Sequence, residues 1–241
     1  MRGDRLVSLS GREYPVISDI PVILPEDIET THIEQANALK FLRGELGLPH
    51  CSFAESAVDG DTVVDQFVQR NVAGTSGHLY ALLISKLSRY PIPDIRLPQG
   101  NGELLLDVGC NWGRWRSAAR KGYRVVGIDP ALESVLAAQR IARQLGQEVS
   151  FVVADGRSLP FKSGCFDVVF SYSVLQHFSH TNARKMIDEI GRVLKPGAIE
   201  FVQMPNVAGV RSEITTTGSE TCFQRQPVTT HLRPDTGRSV S

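Results

Sequence analysis

The chain has 241 residues, 26 basic and 26 acidic side chains, and a hydrophobic fraction of 41%. This length suffices for one α/β domain with an extension, and its core can be stable without disulfides or a structural metal. The balanced charge argues against nucleic acid and anionic membranes as partners, and no run of about 18 apolar residues predicts a membrane span. Four cysteines without a CxxC pair are typical of a reducing compartment, so we expect a cytoplasmic protein.

The first 98 residues divide into two predicted segments. Residues 1–30 contain "REYPVISDIPVILPED", whose prolines and β-branched residues predict a short β-ribbon. Residues 31–98 change to helical periodicity in "HIEQANALKFLRGEL" and "SGHLYALLISKLSRY" and predict a helical cap over the active site. The proline- and glycine-rich "YPIPDIRLPQGNG" at its end marks the domain boundary.

Residues 99–211 alternate apolar strand candidates with amphipathic helix candidates. The strand candidates are "ELLLDV", "YRVVGID", "VSFVVAD", "CFDVVFSYS" and "AIEFVQMP", and helical patterns separate most of them. Strands that are apolar on both faces and joined by single helices form parallel sheets. The predicted fold is therefore α/β, a doubly wound and mostly parallel sheet.

The first strand of this region ends in a glycine turn, "LLLDVGCNWGRW". In a doubly wound sheet the first strand-to-helix turn lies closest to the ligand. Gly109 and Gly113 lack side chains where the backbone and a ligand would nearly touch. Asn111 stands at the middle glycine position of a GxGxG turn, and asparagine tolerates left-handed backbone well.

The spacing of this turn bears on which ligand it holds. A dinucleotide fingerprint GxGxxG would need glycine at 111 and 114, where Asn111 and Arg114 stand. Asp107, at the strand end, would be unfavourable beside a pyrophosphate but suits a ligand with a positive amino group. An NAD-dependent oxidoreductase therefore stays an alternative with two of its three glycines missing.

Five motifs occur in order: "LLLDVGCNWGRW", "VVGIDP", "VVADGRSLPF", "FDVVFSYSVLQHF" and "RVLKPG". Together they resemble the class I S-adenosylmethionine-dependent methyltransferases of the type 11 subgroup, over roughly Gly102 to Asn206. The resemblance implies S-adenosylmethionine as cofactor and methyl transfer to a small-molecule or glycan-type acceptor. Neutral charge and the lack of an "NPPY"-like string argue against a nucleic-acid acceptor.

The resemblance also implies roles for individual residues. The turn formed by Asp107, Gly109, Asn111 and Gly113 would surround the methionine part of the cofactor. Each position has a plainer interpretation as well, and for this turn it is an ordinary structural loop.

Three further motif positions would hold the nucleoside end and the sulfonium. Asp129 would accept both hydrogen bonds of the ribose diol, or would cap the helix beginning at "PALESV". Asp155 would accept from the adenine amino group beside Gly156, or would simply form a turn. Ser171, at the end of the fourth strand, would lie near the sulfonium.

His177, in "SYSVLQHF", is the candidate catalytic residue. A neutral histidine there can take a proton from an attacking hydroxyl or amine. Methyl transfer from a sulfonium mainly needs alignment and exclusion of water. The preferred interpretation of His177 is therefore a substrate-pocket or helix-capping residue, with general base as the alternative.

Both flanks depart from the family pattern. The segment "LVSLSGREYPVISDIPVIL" is similar to part of a zinc-ribbon-like extension, but Ser8 and Ser10 replace thiols, and no cysteine precedes Cys51. We therefore expect no metal site. Residues 212–241 lack apolar periodicity and predict a disordered tail, leaving the sheet one or two strands short. That tail keeps open a non-catalytic or truncated cofactor-binding protein.

Overall fold

The computed structural model describes residues 5–47, 67–69, 71, 90, 92, 94–205 and 211–217, and only the backbone of 205 and 211–217. The strands of this part are β1 Arg5–Val7, β2 Glu13–Ile17, β3 Ile20–Ile23, β4 Leu104–Val108, β5 Arg124–Asp129, β6 Val149–Ala154, β7 Phe166–Tyr172, β8 Leu194–Pro205 and β9 Arg211–Thr217. The helices are α1 Ile33–Leu42, α2 Trp115–Arg120, α3 Leu132–Gln144 and α4 His180–Val193, with a 3-10 turn at Leu175–His177.

The strands form one sheet in the order β1-β2-β3-β6-β5-β4-β7-β8-β9. The six strands from β3 to β8 run parallel to their neighbours in this order, and β1, β2 and β9 pair antiparallel. The predicted doubly wound, mostly parallel α/β fold is confirmed. Strand order reverses between β4 and β7, so the topological switch point lies at the end of β4, where such sheets bind ligands.

Burial of both faces of the sheet explains why β4 begins with three consecutive leucines. Leu105 and Leu106 are fully buried on opposite faces. Helices α2 and α3 cover the face of Leu105, and α4 covers the face of Leu106 through Met186 and Ile190. Two separate apolar cores therefore hold the end of β4 in place.

The predicted N-terminal β-ribbon forms strands, but it does not lie apart from the main sheet. Val22 and Ile23 of β3 pair in parallel with Val153 and Ala154 of β6. The chain then enters α1, as its helical periodicity predicts. The second predicted cap helix, "SGHLYALLISKLSRY", lies outside the described residues except for its last tyrosine.

Two features are absent from the described residues. None of their helices has the length and apolarity needed to cross a bilayer. They also contain no group of three or more histidine, cysteine, aspartate or glutamate side chains that could hold a metal ion.

The C-terminal region differs from the sequence prediction. Residues 212–217, predicted as disordered, belong to β9, which pairs antiparallel with β8 from Ile199↔Thr217 to Pro205↔Arg211. The backbone of β8 would otherwise offer an unpaired edge, and the β-branched run "ITTT" has the propensity to pair with it. Residues 218–241 lie outside the described part, so the rest of the predicted tail stays a prediction.

We predict that Met186→Ala lowers the free energy of unfolding by about 2 to 5 kcal/mol, because it removes a fully buried side chain under the sheet. Its neighbour Ile187 is 37% exposed and serves as the control. Ile187→Ala should cost no more than about 1 kcal/mol. Urea denaturation of both variants checks the packing of α4, and equal losses would contradict it.

Candidate functional site

A cavity of about 600 Å³ lies at the carboxyl ends of β4, β5, β6 and β7, within the size range of small-ligand sites. The body of the sheet contributes the turn after β4 and the ends of the neighbouring strands. The N-terminal segment closes one side. The residues that line the cavity include Thr31, His32, Gln35, Val108, Gly109, Asn111, Arg114, Asp129, Asp155, Gly156, Tyr172, Val174 and His177.

The glycine turn has the backbone conformation that the sequence predicts. Gly109 has a φ of 78° and Asn111 a φ of 47°, both in the left-handed region. A Cβ at Gly109 would overlap Cγ2 of Val174, so the turn and the loop after β7 approach too closely for any side chain. Asn111 stabilises its own conformation, since its Oδ1 accepts from the Trp112 N–H at 2.7 Å.

Asp129 connects this turn to the start of α3. Its Oδ2 accepts from the Asn111 N–H at 3.1 Å, and its Oδ1 from the Ala131 N–H at 2.9 Å. The latter bond lies before the helix, whose N-cap residue is Ala131, so Asp129 shapes the entry turn and does not cap the helix. Each oxygen keeps a second lone pair for a ligand in the cavity. Burial raises the pKa of Asp129, and the two N–H donors oppose this rise.

Asp155 is 1% exposed and is held by two side chains. Arg157 donates to Oδ1 from its backbone N–H at 2.8 Å and from Nε at 2.9 Å, and to Oδ2 from Nη2 at 2.8 Å. Gln35, on α1, donates to Oδ2 at 2.7 Å. Asp155 lines the cavity, but its carboxylate is already engaged by protein donors.

Asp107 is the opposite case. It is 1% exposed, and neither carboxyl oxygen has a hydrogen-bond partner among the described residues. Burial raises the pKa of Asp107 to about 7, with the Asp129 charge adding to the rise and the Arg114 charge opposing it. A buried acceptor without a donor costs stability. Such a group is consistent with a ligand that brings its own donor.

Arg114 lies beside these carboxylates and lines the cavity. It donates to the Tyr172 carbonyl, and its guanidinium lies 5.4 Å from the centroid of the Tyr172 ring. Its positive charge opposes the rise that burial causes in the pKa of Asp107 and Asp129. Arg114 therefore brings a guanidinium to the cavity end nearest β4, whereas Asp107 itself is buried and is not among the residues that line the cavity.

Three other predicted residues differ in how they relate to the cavity. Gly156 lines it, but a Cβ there would meet Val108 Cγ1 at 3.0 Å and Met186 Sδ at 3.3 Å, so core packing also requires this glycine. Gly113 is not among the lining residues, and a Cβ would meet Ile92 at 3.0 Å.

Ser171 is likewise outside the cavity lining and is fully buried. Its hydroxyl donates to the Val108 carbonyl at 3.1 Å. Ser171 therefore holds the end of β4 to β7, and its position beside the sulfonium stays a prediction. A serine at the end of a buried strand gives no sequence signal that separates these two roles.

His177 lies on the cavity wall and is exposed. Its ring packs edge-on against His32, with centroids 4.6 Å apart. Burial of part of the ring lowers its pKa, and the nearby His32 and Arg114 add to this effect. His177 is thus mostly neutral at pH 7, the form that either of its predicted roles needs.

Arg114, His32 and Gln35 line the cavity but were not among the site residues predicted from the sequence. Arg114 was visible inside the glycine-turn motif, where its charge next to Asp107 was the available signal. His32 and Gln35 lie in the predicted cap, and their contacts are with residues more than 100 positions away. No local pattern reports such a contact.

The unpartnered Asp107 generates a pH prediction. Its pKa in the folded protein, about 7, lies above the unfolded value of 3.8, so the folded state binds the extra proton between these values. The contribution of protonated Asp107 to the stability of the folded state is fully present below about pH 4 and is lost as the pH rises through 7. Asp107→Asn removes this titration, so the variant should gain in Tm over the wild type as the pH rises from 5 to 8.

Thermal melts at both pH values check this expectation. Asp188→Asn, which changes an exposed carboxylate on α4, is the control and should show little change in its Tm difference. A Tm difference for Asp107→Asn that is the same at pH 5 and pH 8 would contradict the raised pKa.

Comparisons with known proteins agree with this geometry. Residues 105–197 match a family model described as a methyltransferase domain. The chain is 37% identical over 105 residues to norajmaline N-methyltransferase of Rauvolfia serpentina, covering 42% of this chain and 35% of that one. It is 36% identical over 100 residues to a probable tRNA methyltransferase of Bos taurus, covering 41% and 20%.

Among solved structures, one of a SAM-dependent methyltransferase from Methanosarcina mazei is 31% identical, with a TM-score of 0.40 and coverage of 43% and 53%. The chain thus spans about a third or less of the length of the two curated relatives. The matched region spans β4 to α4, the elements that contribute most of the cavity-lining residues. Residues 105–197 thus match a methyltransferase domain, in agreement with the motifs that the sequence contains.

Proposed function

We propose that this protein transfers the methyl group of S-adenosylmethionine to a small-molecule or glycan-type acceptor in the cytoplasm. The observation that carries the proposal is Asp107, a buried carboxyl group just before the glycine turn whose oxygens have no hydrogen-bond partner among the described residues. A ligand with a primary ammonium group supplies the missing donor and charge. The amino-acid end of S-adenosylmethionine has such a group, and NAD does not.

Arg114 complements this assignment. The amino-acid end of the cofactor is a zwitterion, so its carboxylate needs a hydrogen-bond donor near the acceptor that faces its ammonium group. Arg114 lines the cavity and acts electrostatically on Asp107. A guanidinium presents several N–H donors in one plane, so it can hold the Tyr172 carbonyl and a ligand carboxylate together.

The ribose and adenine follow along the strand ends. We assign the ribose diol to Asp129, whose oxygens each retain an acceptor position after their bonds to Asn111 and Ala131. We assign the adenine to the end of the cavity lined by Asp155 and Gly156. Gly109, Asn111 and Gly113 give the turn its shape at the methionine end.

The cofactor supplies a methyl carbon that is already activated by the sulfonium. The protein's part is then to align the acceptor and exclude water. His177 lies on the cavity wall in its neutral form, where it can hydrogen-bond an acceptor hydroxyl or amine. We assign it to acceptor positioning, with general base as the alternative role.

The acceptor class rests on charge. The chain has no net charge, whereas nucleic-acid binding usually needs a basic surface. The likeness to a probable tRNA methyltransferase keeps a tRNA acceptor as the second candidate. A cytoplasmic location is supported by four cysteines without a paired pattern.

The direct test is calorimetric titration of the full chain with S-adenosylhomocysteine and with NAD. We expect the first ligand to bind and NAD not to bind. Asp129→Ala should weaken S-adenosylhomocysteine binding more than tenfold, because loss of a partly buried charged acceptor costs roughly 2 to 4 kcal/mol. Asp188→Ala, on the exposed face of α4, should bind like the wild type.

Comparable or tighter binding of NAD would support an oxidoreductase and overturn the proposal. Binding of S-adenosylhomocysteine without turnover of any acceptor would favour the non-catalytic alternative. If Asp129→Ala binds normally but melts at a lower temperature, then Asp129 serves only to shape the turn before α3.

A further inference from the structure

The carboxylate of Asp155 has no acceptor position left for a ligand. A carboxylate accepts about four hydrogen bonds, two at each oxygen. Arg157 fills both positions of Oδ1 and one of Oδ2, and Gln35 fills the fourth, with distances between 2.7 and 2.9 Å. An adenine amino group can reach this carboxylate only if one of these donors leaves.

The four donors are not equally firmly held. Three belong to Arg157, two residues along the chain, whose guanidinium also donates to the Glu29 carbonyl at 2.6 Å. Its bonds to Asp155 join opposite charges away from water, and such charge-assisted bonds are the strong ones. Gln35 brings one neutral amide from a segment 120 residues away. Gln35 is therefore the donor that a ligand can displace.

The surroundings of Gln35 allow this exchange. The side chain is fully buried, and its Oε1 accepts from the N–H and the hydroxyl of Thr31 at 3.0 and 3.2 Å. The same segment has anchors that do not involve Asp155, since Glu29 also accepts from Asn182 Nδ2 at 2.8 Å. Gln35 can thus release Asp155 while the segment stays attached.

We propose that Gln35 and the 6-amino group of the cofactor's purine compete for one acceptor position on Asp155. Gln35 then tunes affinity: a nucleoside must displace an internal amide before its amino group is recognised. It also lowers the discrimination between purines, because only a purine with this amino group competes with Gln35 for the acceptor position, and a purine without it leaves the Gln35 bond in place. This inference rests on the proposed function, which assigns the adenine to Asp155.

The test compares Gln35→Ala and Gln35→Leu with the wild type in titrations of S-adenosylhomocysteine and its 6-oxo analogue, S-inosylhomocysteine. Removing the competing donor should tighten S-adenosylhomocysteine binding about three- to tenfold, because the binding-competent fraction rises. The inosyl analogue offers no amino group and should gain nothing. Gln35→Leu removes the amide but fills this buried position with a side chain of similar size, so it serves as the test variant if the alanine variant does not fold.

Asn182→Ala is the matched control. It removes another anchor of the same segment, at Glu29, without touching Asp155, so its affinity for S-adenosylhomocysteine should stay within about twofold of the wild type. Unchanged or weaker S-adenosylhomocysteine binding by both Gln35 variants would overturn the competition, as would an equal gain for both ligands. Failure of the wild type to bind S-adenosylhomocysteine would instead refute the proposed function, and this inference with it.

Discussion

Three buried carboxyl groups, Asp107, Asp129 and Asp155, lie at the ends of the adjacent strands β4, β5 and β6. They differ in the hydrogen-bond donors that offset the cost of their burial. Asp129 is met by two backbone N–H groups. Asp155 is met by Arg157 and Gln35. Asp107 is met by no donor in the described part of the chain. Burying charge without a partner is costly, so this unequal compensation indicates where a ligand completes the structure.

Asp129 and Asp155 connect separate segments of the chain through their hydrogen bonds, whereas Asp107 has no such bond among the described residues. Asp129 links the glycine turn to the start of α3, and Asp155 links β6 to the N-terminal segment. Both bonds position backbone around the cavity before any ligand arrives. Preorganisation of this kind lowers the ordering cost of binding. The two apolar cores on either side of the sheet provide the rigid support that this arrangement requires.

Asp107, the carboxyl group that no described residue hydrogen-bonds, lies in a strand that is paired on both sides. Asp107 belongs to β4, which pairs with β5 on one side and β7 on the other, and Ser171 holds the Val108 carbonyl from β7. The strand cannot easily rotate Asp107 toward solvent, so the cost of its burial persists in the free protein. Under the proposed function, a ligand ammonium would remove that cost, so both the stability of the fold and the recognition of the ligand would depend on Asp107.

The sequence predicted what is encoded locally. The alternation of apolar runs and helical patterns predicted the parallel sheet, and the tolerance of Asn111 for left-handed backbone matches its φ of 47°. Contacts between distant segments were not predictable in this way. The bond from Gln35 to Asp155 joins residues 120 positions apart, and the inward bond of Ser171 depends on the register of β4 and β7. Residues 212–217 looked unstructured because their pairing depends on the edge that β8 offers.

We propose that a ligand ammonium completes the environment of Asp107, and proton release on ligand binding measures this interaction. Burial raises the pKa of Asp107 to about 7, so the carboxyl group is partly protonated near neutral pH, and a nearby positive charge favours its ionised form. Titration with S-adenosylhomocysteine in two buffers of different ionisation enthalpy should show release of a fraction of a proton per ligand at pH 7, and Asp107→Asn should release none. Binding enthalpies that are the same in both buffers for the wild type, or an equal proton release by Asp107→Asn, would contradict the claim.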